Sequence, residues 1–397
     1  MEKQTIDDIE VAGRRVLLRV DFNVPLRDGS IIDDRKIREA LPTLRNLRDR
    51  GARIVVITHI GRPQGVVDPQ LSTEQLLGPL AALLGAEVGH VRGVVGEEVE
   101  SAIGALEAGG ILMLENVRFE PGEERNDPQL ASRLARLGDV FCNDAFGAAH
   151  RAHASTEGVS HHLPAVAGYL MAHELEILTS VLHDPERPLV AIVGGSKISS
   201  KIGIIDHLLD TVDTLWVGGA MACTFYRALG EETGRSLVEE DWVERAGALY
   251  RGTGSRRGDL RLPVDVVIAS VPDGSMPTRV VSWKEVPADQ MVVDVGPETV
   301  ALMAADAAGA STVVWNGPLG IYEVAEFARG TRGVAVAVAE SRAFSVVGGG
   351  DLGAALEASG VEGRIGYIST GGGATLEFLE GRELPGVVAL CDRVAVS

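Results

Sequence analysis

Cysteine is scarce in this chain. Cys142, Cys223 and Cys391 are isolated and odd in number among 397 residues, with no Cys-x-x-Cys spacing. Nothing here supports a disulfide framework or a cysteine metal site, and buried free thiols are expected. Positive charge is also short, with 37 Lys and Arg against 56 Asp and Glu and a net charge of −19. That balance argues against a nucleic-acid binder working through a general positive field. No apolar run approaches the ~18 residues of a membrane span, and the opening MEKQTIDDIE lacks an apolar secretory stretch. A cytoplasmic protein without membrane or nucleic-acid partners is expected. Lysine is reduced to Lys3, Lys36, Lys197, Lys201 and Lys284, and no Gly-Lys dipeptide occurs, which rules out a Walker A loop.

What is abundant is glycine, 48 residues or about 12%, against a usual ~7%. With 45% hydrophobic residues the chain can bury real cores, and at roughly 150 residues per domain its length suggests two or three domains. Short β-branched runs recur at Val16 to Val20, Arg53 to Thr58, Ile111 to Leu114 and Val140 to Cys142. They recur again at Leu189 to Val193, Leu215 to Val217, Val264 to Ala269, Thr312 to Trp315, Phe344 to Val347 and Ile365 to Ser369. Helical periods lie between most of them. Ile37, Ala40, Leu41, Leu44 and Leu47 share one face, and Ser72 with Gln75 reads as a capping box. Alternation of this kind predicts an α/β protein with two doubly wound, parallel-sheet, Rossmann-like lobes. The helical run Met171 to Leu182 predicts a bridging helix. We expect a first lobe over 1–165, a hinge over 166–185 and a second lobe over 186–379, with a tail from about 380 to 397 returning to the first. Ligands of such sheets bind beyond the C-terminal strand ends.

Charge is uneven. From Arg14 to Arg62 twelve basic residues face six acidic ones, a local +6 in a chain otherwise −25, which suggests a surface for a small anion. Polar groups end the early strands in Arg19-Val20-Asp21-Phe22-Asn23, His59-Ile60-Gly61-Arg62, Asn116-Val117-Arg118 and His150-Arg151-Ala152-His153. Arginines there could grip phosphate and carboxylate with a planar fork. His150 and His153 have no third ligand nearby and read as residues that touch the substrate or support those that do. In the second half, Gly194-Gly195-Ser196-Lys197, Gly218-Gly219-Ala220, Gly348-Gly349-Gly350-Asp351 and Gly371-Gly372-Gly373 follow strands. Such turns let backbone approach a polyphosphate at a helix N-terminus. Lys197 and Lys201 lie one helical turn apart, placed to neutralise phosphate oxygens. Gly348, Gly350 and Gly353 match GxGxxG, but no carboxylate stands about 20 residues on, so a nicotinamide-dependent oxidoreductase is rejected.

The ordered motifs RVDFNVP, HIGRP, LENVRF, NDAFGAAHRAH, GGSKISSK, WNGPLGIYE, GGGDLG and STGGGAT run almost end to end, and with them the chain resembles the phosphoglycerate kinases. The resemblance implies a phosphotransferase with a carboxyl acceptor, acting in glycolysis and gluconeogenesis. Such an enzyme interconverts 1,3-bisphosphoglycerate plus ADP with 3-phosphoglycerate plus ATP, uses a magnesium nucleotide and is monomeric. It places the phosphoglycerate on Asp21, Asn23, Lys36, His59, Arg62, Arg118 and Arg151. It places the nucleotide on Lys197, Lys201, Gly219, Asn316, Pro318, Glu323, Gly350, Asp351, Leu352 and Gly353, with Asp351 on magnesium. Lys36, Arg35, Lys201, Gly371 and Gly372 would be catalytic. Hinge closure would exclude water and bring donor and acceptor into line.

Three positions depart from the family pattern. Lys36 stands where a catalytic arginine is usual, with Arg35 beside it, so the charge is kept and the fork lost. Leu352 replaces a Ser or Thr that would offer a hydroxyl, and Glu298 replaces a common lysine. An alternative reading is therefore a slow or regulatory paralogue that keeps both ligand sites.

Overall fold

The computed structural model describes residues 2–27 and 30–393, which divide into two compact units, 1–176 with 383–397 and 177–382. The first division falls inside the helix expected to bridge the lobes, which runs Tyr169–His183.

Unit 1 contains strands β1 (Arg15–Arg19), β2 (Leu26–Arg27), β3 (Ser30–Ile31), β4 (Arg53–Ile57), β5 (Gly89–Val91), β6 (Ile111–Leu114), β7 (Val140–Asn143) and β8 (Ala165–Ala167). Six form one sheet in the order β5-β6-β4-β1-β7-β8, every pair parallel. Helices α1 (Arg35–Asp49), α2 (Leu77–Leu84), α3 (Glu97–Gly104) and α4 (Pro128–Ala135) cover it, and α5 (Tyr169–His183) runs across the division after residue 176. Each strand is an apolar run because both faces of a parallel sheet are covered. In α1 the predicted face of Ile37, Ala40, Leu41, Leu44 and Leu47 is the one buried against the sheet. The capping box at Ser72 is not formed. Ser72 caps a short 3-10 turn through Glu74 N, while the Gln75 amide donates to the Ser72 carbonyl instead of accepting from its N–H; α2 begins only at Leu77. The segment after residue 382 belongs to this unit: Gly386 N donates to Ala149 O, Cys391 N to Ala165 O, and Lys3 pairs with Asp392.

Unit 2 contains β9 (Leu189–Val193), β10 (Thr214–Val217), β11 (Asp259–Arg261), β12 (Asp265–Ala269), β13 (Arg279–Ser282), β14 (Met291–Val295), β15 (Thr312–Asn316), β16 (Phe344–Gly348) and β17 (Tyr367–Ile368). A parallel sheet runs β11-β10-β9-β15-β16-β17. Its helices are α6 (Ile202–Thr211), α7 (Ala222–Ala228), α8 (Val243–Gly252), α9 (Pro297–Gly309), α10 (Arg329–Glu340), α11 (Gly350–Ala358) and α12 (Gly373–Leu379). One expectation fails here. The run Val264 to Ala269 is β12, which lies outside the parallel sheet, in a separate antiparallel one ordered β13-β12-β14. The alternation had suggested only parallel pairing, but the chain reverses through residues 270–278 without a crossover helix, so β13 runs antiparallel to β12, and β14 then takes the opposite edge of β12 in the same direction as β13. The cysteines also divide: Cys142 and Cys223 are buried, whereas Cys391 is exposed.

Candidate functional site

The unit 1 sheet delivers its polar groups at the C-terminal ends of β1, β4, β6 and β7. Arg19, the last residue of β1, is fully buried. Its Nε donates to Ser155 Oγ at 2.9 Å, its Nη1 to the Val20 carbonyl, and its Nη2 to His59 Nδ1 at 3.0 Å. Ser155 passes the contact on, donating to Glu123 Oε1 at 2.5 Å, and Glu123 is itself fully buried. Burial raises the Glu123 pKa against the pull of Arg19. Above this layer, Lys36 Nζ donates to Asp21 Oδ2 at 2.7 Å. Burial alone would raise the Asp21 pKa, but Lys36 first, then His59 and Arg19, hold it at about 2. Asn23 Oδ1 accepts from Gly61 N at 2.9 Å and Arg118 Nη1 donates to Gly61 O at 2.7 Å, so one peptide segment ties two expected substrate residues together. Arg118 is buried, with Glu124 3.4 Å from its Nε. Arg151 donates to His150 Nε2, and Arg62 is exposed with no hydrogen bond or ion pair among the described residues. Burial and then Arg19 depress the His59 pKa far below its ordinary value; burial and then Arg118 bring His153 to about 4. Both rings are neutral at pH 7, so lysine and arginines supply the positive charge.

Arg35 and Lys36 face different carboxylates. Arg35 turns back onto Asp33, with Nε 2.8 Å and Nη2 2.5 Å from Oδ2. Lys36 is the one held to Asp21.

In unit 2 a cavity of about 690 Å³ opens where the strand order reverses between β9 and β15, the place where open α/β sheets bind ligands. Lys197, Lys201, Gly219, Asn316, Pro318, Glu323, Gly350, Asp351 and Leu352 all line it, with Gly372 and Gly373. Lys201 Nζ donates to Gly194 O at 2.7 Å and to Asn316 Oδ1 at 2.5 Å, bridging the ends of the two strands. Burial lowers its pKa to about 8, opposed by Asp351. Asn316 Nδ2 in turn donates to Gly348 O. Close backbone approach explains two of the glycines: a Cβ at Gly219 would stand 2.4 Å from Gly195 O, and one at Gly317 2.4 Å from Gly194 O, both at positive φ.

Several expected residues sit differently. Leu352 is fully buried in one apolar cluster with Val347, Leu356 and Trp315, so its side chain belongs to the core, and its backbone N–H is one of the unpaired first-turn donors of α11. Gly353 and Gly371 do not line the cavity. Gly353 N bonds Gly349 O within the helix, and Gly371 N donates to Ser369 Oγ, leaving Gly372 and Gly373 as the open amides of that turn. Asp351 is exposed, with Tyr322 Oη 3.4 Å away, and no group of three His, Cys, Asp or Glu among the described residues could hold a metal. Sequence reasoning missed Arg19, Ser155 and Glu123 as a supporting layer. It also missed Asp294, buried in the cavity wall, where it accepts from Gly330 N and Val295 N and burial raises its pKa to about 7. Arg19 stood two residues before Asp21 on a strand, a legible signal; Glu123 in a Pro-Gly turn carried none.

The phosphoglycerate kinase family model matches residues 6–382. A phosphoglycerate kinase of Moorella thermoacetica is 52% identical over 393 residues, covering 99% of this chain and all of that protein. One of Rubrobacter xylanophilus is 51% identical over 396 residues, covering both chains in full. Among solved structures, the phosphoglycerate kinase of Coxiella burnetii superposes with a TM-score of 0.89 at 40% identity, and that of Pyrococcus horikoshii with 0.86 at 32%, each over 98% of both chains. With one match spanning nearly the whole length and half the residues shared, the chain belongs to the phosphoglycerate kinase family.

Proposed function

We infer that the chain catalyses its family's reaction, the reversible transfer of a phosphoryl group from 1,3-bisphosphoglycerate to ADP, giving 3-phosphoglycerate and ATP. The observation that carries this reading in detail is Lys201 bridging Gly194 and Asn316 at the strand-order reversal of unit 2, inside a cavity walled by glycine turns. Phosphoryl transfer asks for positioning and charge neutralisation more than for a nucleophilic side chain. Lys197, whose ammonium makes no hydrogen bond or ion pair among the described residues, and Lys201 supply the charge; Gly372, Gly373 and the first N–H groups of α11 supply donors.

Phosphoglycerate is assigned to unit 1. Arg62, Arg118 and Arg151 would neutralise its phosphate and carboxylate, while Asp21 and Asn23 accept its hydroxyl. Lys36 takes the place of the usual arginine, since it faces Asp21 while Arg35 is committed to Asp33. Magnesium fits Asp351: one exposed carboxylate at the helix start suits an ion held mainly by nucleotide phosphates and water, and the ion would neutralise charge on the phosphoryl oxygens. The two reactants must meet in line, which is the role of the hinge closure expected from the sequence.

A coupled assay with 3-phosphoglycerate and Mg-ATP tests the activity, and calorimetry with each ligand tests the assignment. Binding of neither ligand would refute both.

A further inference from the structure

Arg19 Nη2 lies 3.0 Å from His59 Nδ1, and both residues are buried. Arginine carries five donors and no acceptor and stays charged in proteins. A hydrogen bond between the two therefore requires Nδ1 to be the accepting nitrogen, which puts the ring proton on Nε2. The arginine is not free to turn away. Its Nε is fixed by Ser155 Oγ, its other terminal nitrogen by the Val20 carbonyl, and Ser155 is fixed by Glu123. On the other side of the ring, Nε2 makes no hydrogen bond among the described residues and is not sealed away from solvent.

We propose that Arg19 is a positioning residue that locks His59 into its neutral, Nε2-protonated tautomer, so that the imidazole meets an anionic oxygen of phosphoglycerate as a hydrogen-bond donor. This rests on the assignment of phosphoglycerate to unit 1. The charged groups facing the ring act together. Arg19 from β1, Arg118 from the turn after β6 and Lys36 from α1 disfavour a second proton, and Asp21 favours it. An anionic ligand added to a site of fixed cations then finds a donor that needs no proton uptake. A histidine charged only below pH 6.5 would instead make affinity depend on pH across the physiological range.

The test is a two-bond proton–nitrogen correlation spectrum of the full-length, nitrogen-15-labelled chain, followed from about pH 5 to about pH 8. The expected result is a protonated Nε2 and an unprotonated Nδ1 throughout, with the Nε2 resonance shifting when 3-phosphoglycerate is added. A proton on Nδ1 in the unmutated protein overturns the proposal and needs no variant. So does an Nε2 resonance that stays still while calorimetry shows the ligand bound. In Arg19→Met the Nδ1 lone pair loses its donor, so the tautomer should no longer be fixed and the ring pKa should rise, though burial, Arg118 and Lys36 still hold it below its ordinary value. KM for 3-phosphoglycerate should rise by about tenfold. Arg19→Lys, which still can only donate, should restore the tautomer; a folded Arg19→Met protein with an unaltered spectrum would sink the idea. If calorimetry finds no phosphoglycerate binding by the unmutated chain, the assignment to unit 1 falls and takes the donor role with it, while the tautomer is read independently from the ligand-free spectrum.

Discussion

In unit 1 the candidate site is made of side chains. Arg118 is buried and tied to Gly61, Asp21 is tied to Lys36, His59 to Arg19, and the whole rests on a buried Arg19–Ser155–Glu123 relay. In unit 2 it is made largely of backbone. Glycine turns end the strands, helix starts offer amides, and one half-buried lysine spans the gap. With the ligands assigned as proposed, the two designs suit different chemistries. A small acid with two anionic ends is matched by a few cations at fixed places, whereas a polyphosphate presents oxygens along its length and is matched by peptide N–H groups that need no side-chain ordering. Substitutions should therefore act through charge in one unit and through volume in the other.

The largest effect is expected at Lys201, the side chain that bridges two strand ends in unit 2. Lys201→Met should lower kcat by roughly 10²–10³, the scale for loss of a group that stabilises transition-state charge. A coupled assay measures it; a fall below fivefold would show that backbone donors suffice. Next, Gly317→Ala forces a Cβ to 2.4 Å from Gly194 O and from Lys201 Nζ at a φ of +85°. It should abolish nucleotide binding while phosphoglycerate binding, read by calorimetry, survives, and should destabilise by about 1–3 kcal/mol. Lys36→Arg tests whether unit 1 is built around lysine. Because a single ammonium sits on Asp21 Oδ2, we expect about tenfold lower kcat, or ~1.4 kcal/mol. A large gain would instead favour the slow-paralogue reading, which no observation here supports. Arg62→Ala should raise KM for 3-phosphoglycerate by about tenfold, since a hydrogen bond to a charged group is lost, yet change stability by less than ~0.5 kcal/mol, because the side chain is exposed.

Acid should separate the units in the subtlest way. His153 is depressed from 6.5 to about 4, so below pH 6.5 the unfolded chain binds the extra proton and unit 1 loses stability until about pH 4. The Asp21 contribution, present above 3.8, goes next as pH falls toward 2. Asp294 in unit 2 is raised from 3.8 to about 7, so its contribution is fully present below 3.8 and lost as pH rises through 7. Hydrogen exchange resolved by unit, between pH 7 and pH 4, should show protection falling in unit 1 relative to unit 2. Parallel changes in both would contradict these assignments.

Local signals carried much of this. Apolar runs marked strands because parallel sheets bury both faces, and glycine turns marked the cavity because their position after strands is a local property. The antiparallel β13-β12-β14 sheet was illegible because pairing direction depends on connections that leave no periodic trace. Leu352 looked like a missing ligand group, yet its side chain points into a core that only the packed helix defines. Glu123 and Asp294 are carboxylates that exposure statistics place at the surface; what buries them are neighbours 32 and 36 residues away, Ser155 and Gly330.

The return of residues 383–393 to unit 1 sets an order on biosynthesis. The strands of the first sheet leave the ribosome early, but Ala149 and Ala165 receive their partners, Gly386 and Cys391, only after all of unit 2 has been made. Unit 2 is thus a continuous stretch that can finish while the earlier half still waits for its last clasp. A nascent chain halted shortly before Gly386 should leave the earlier half the more open to protease.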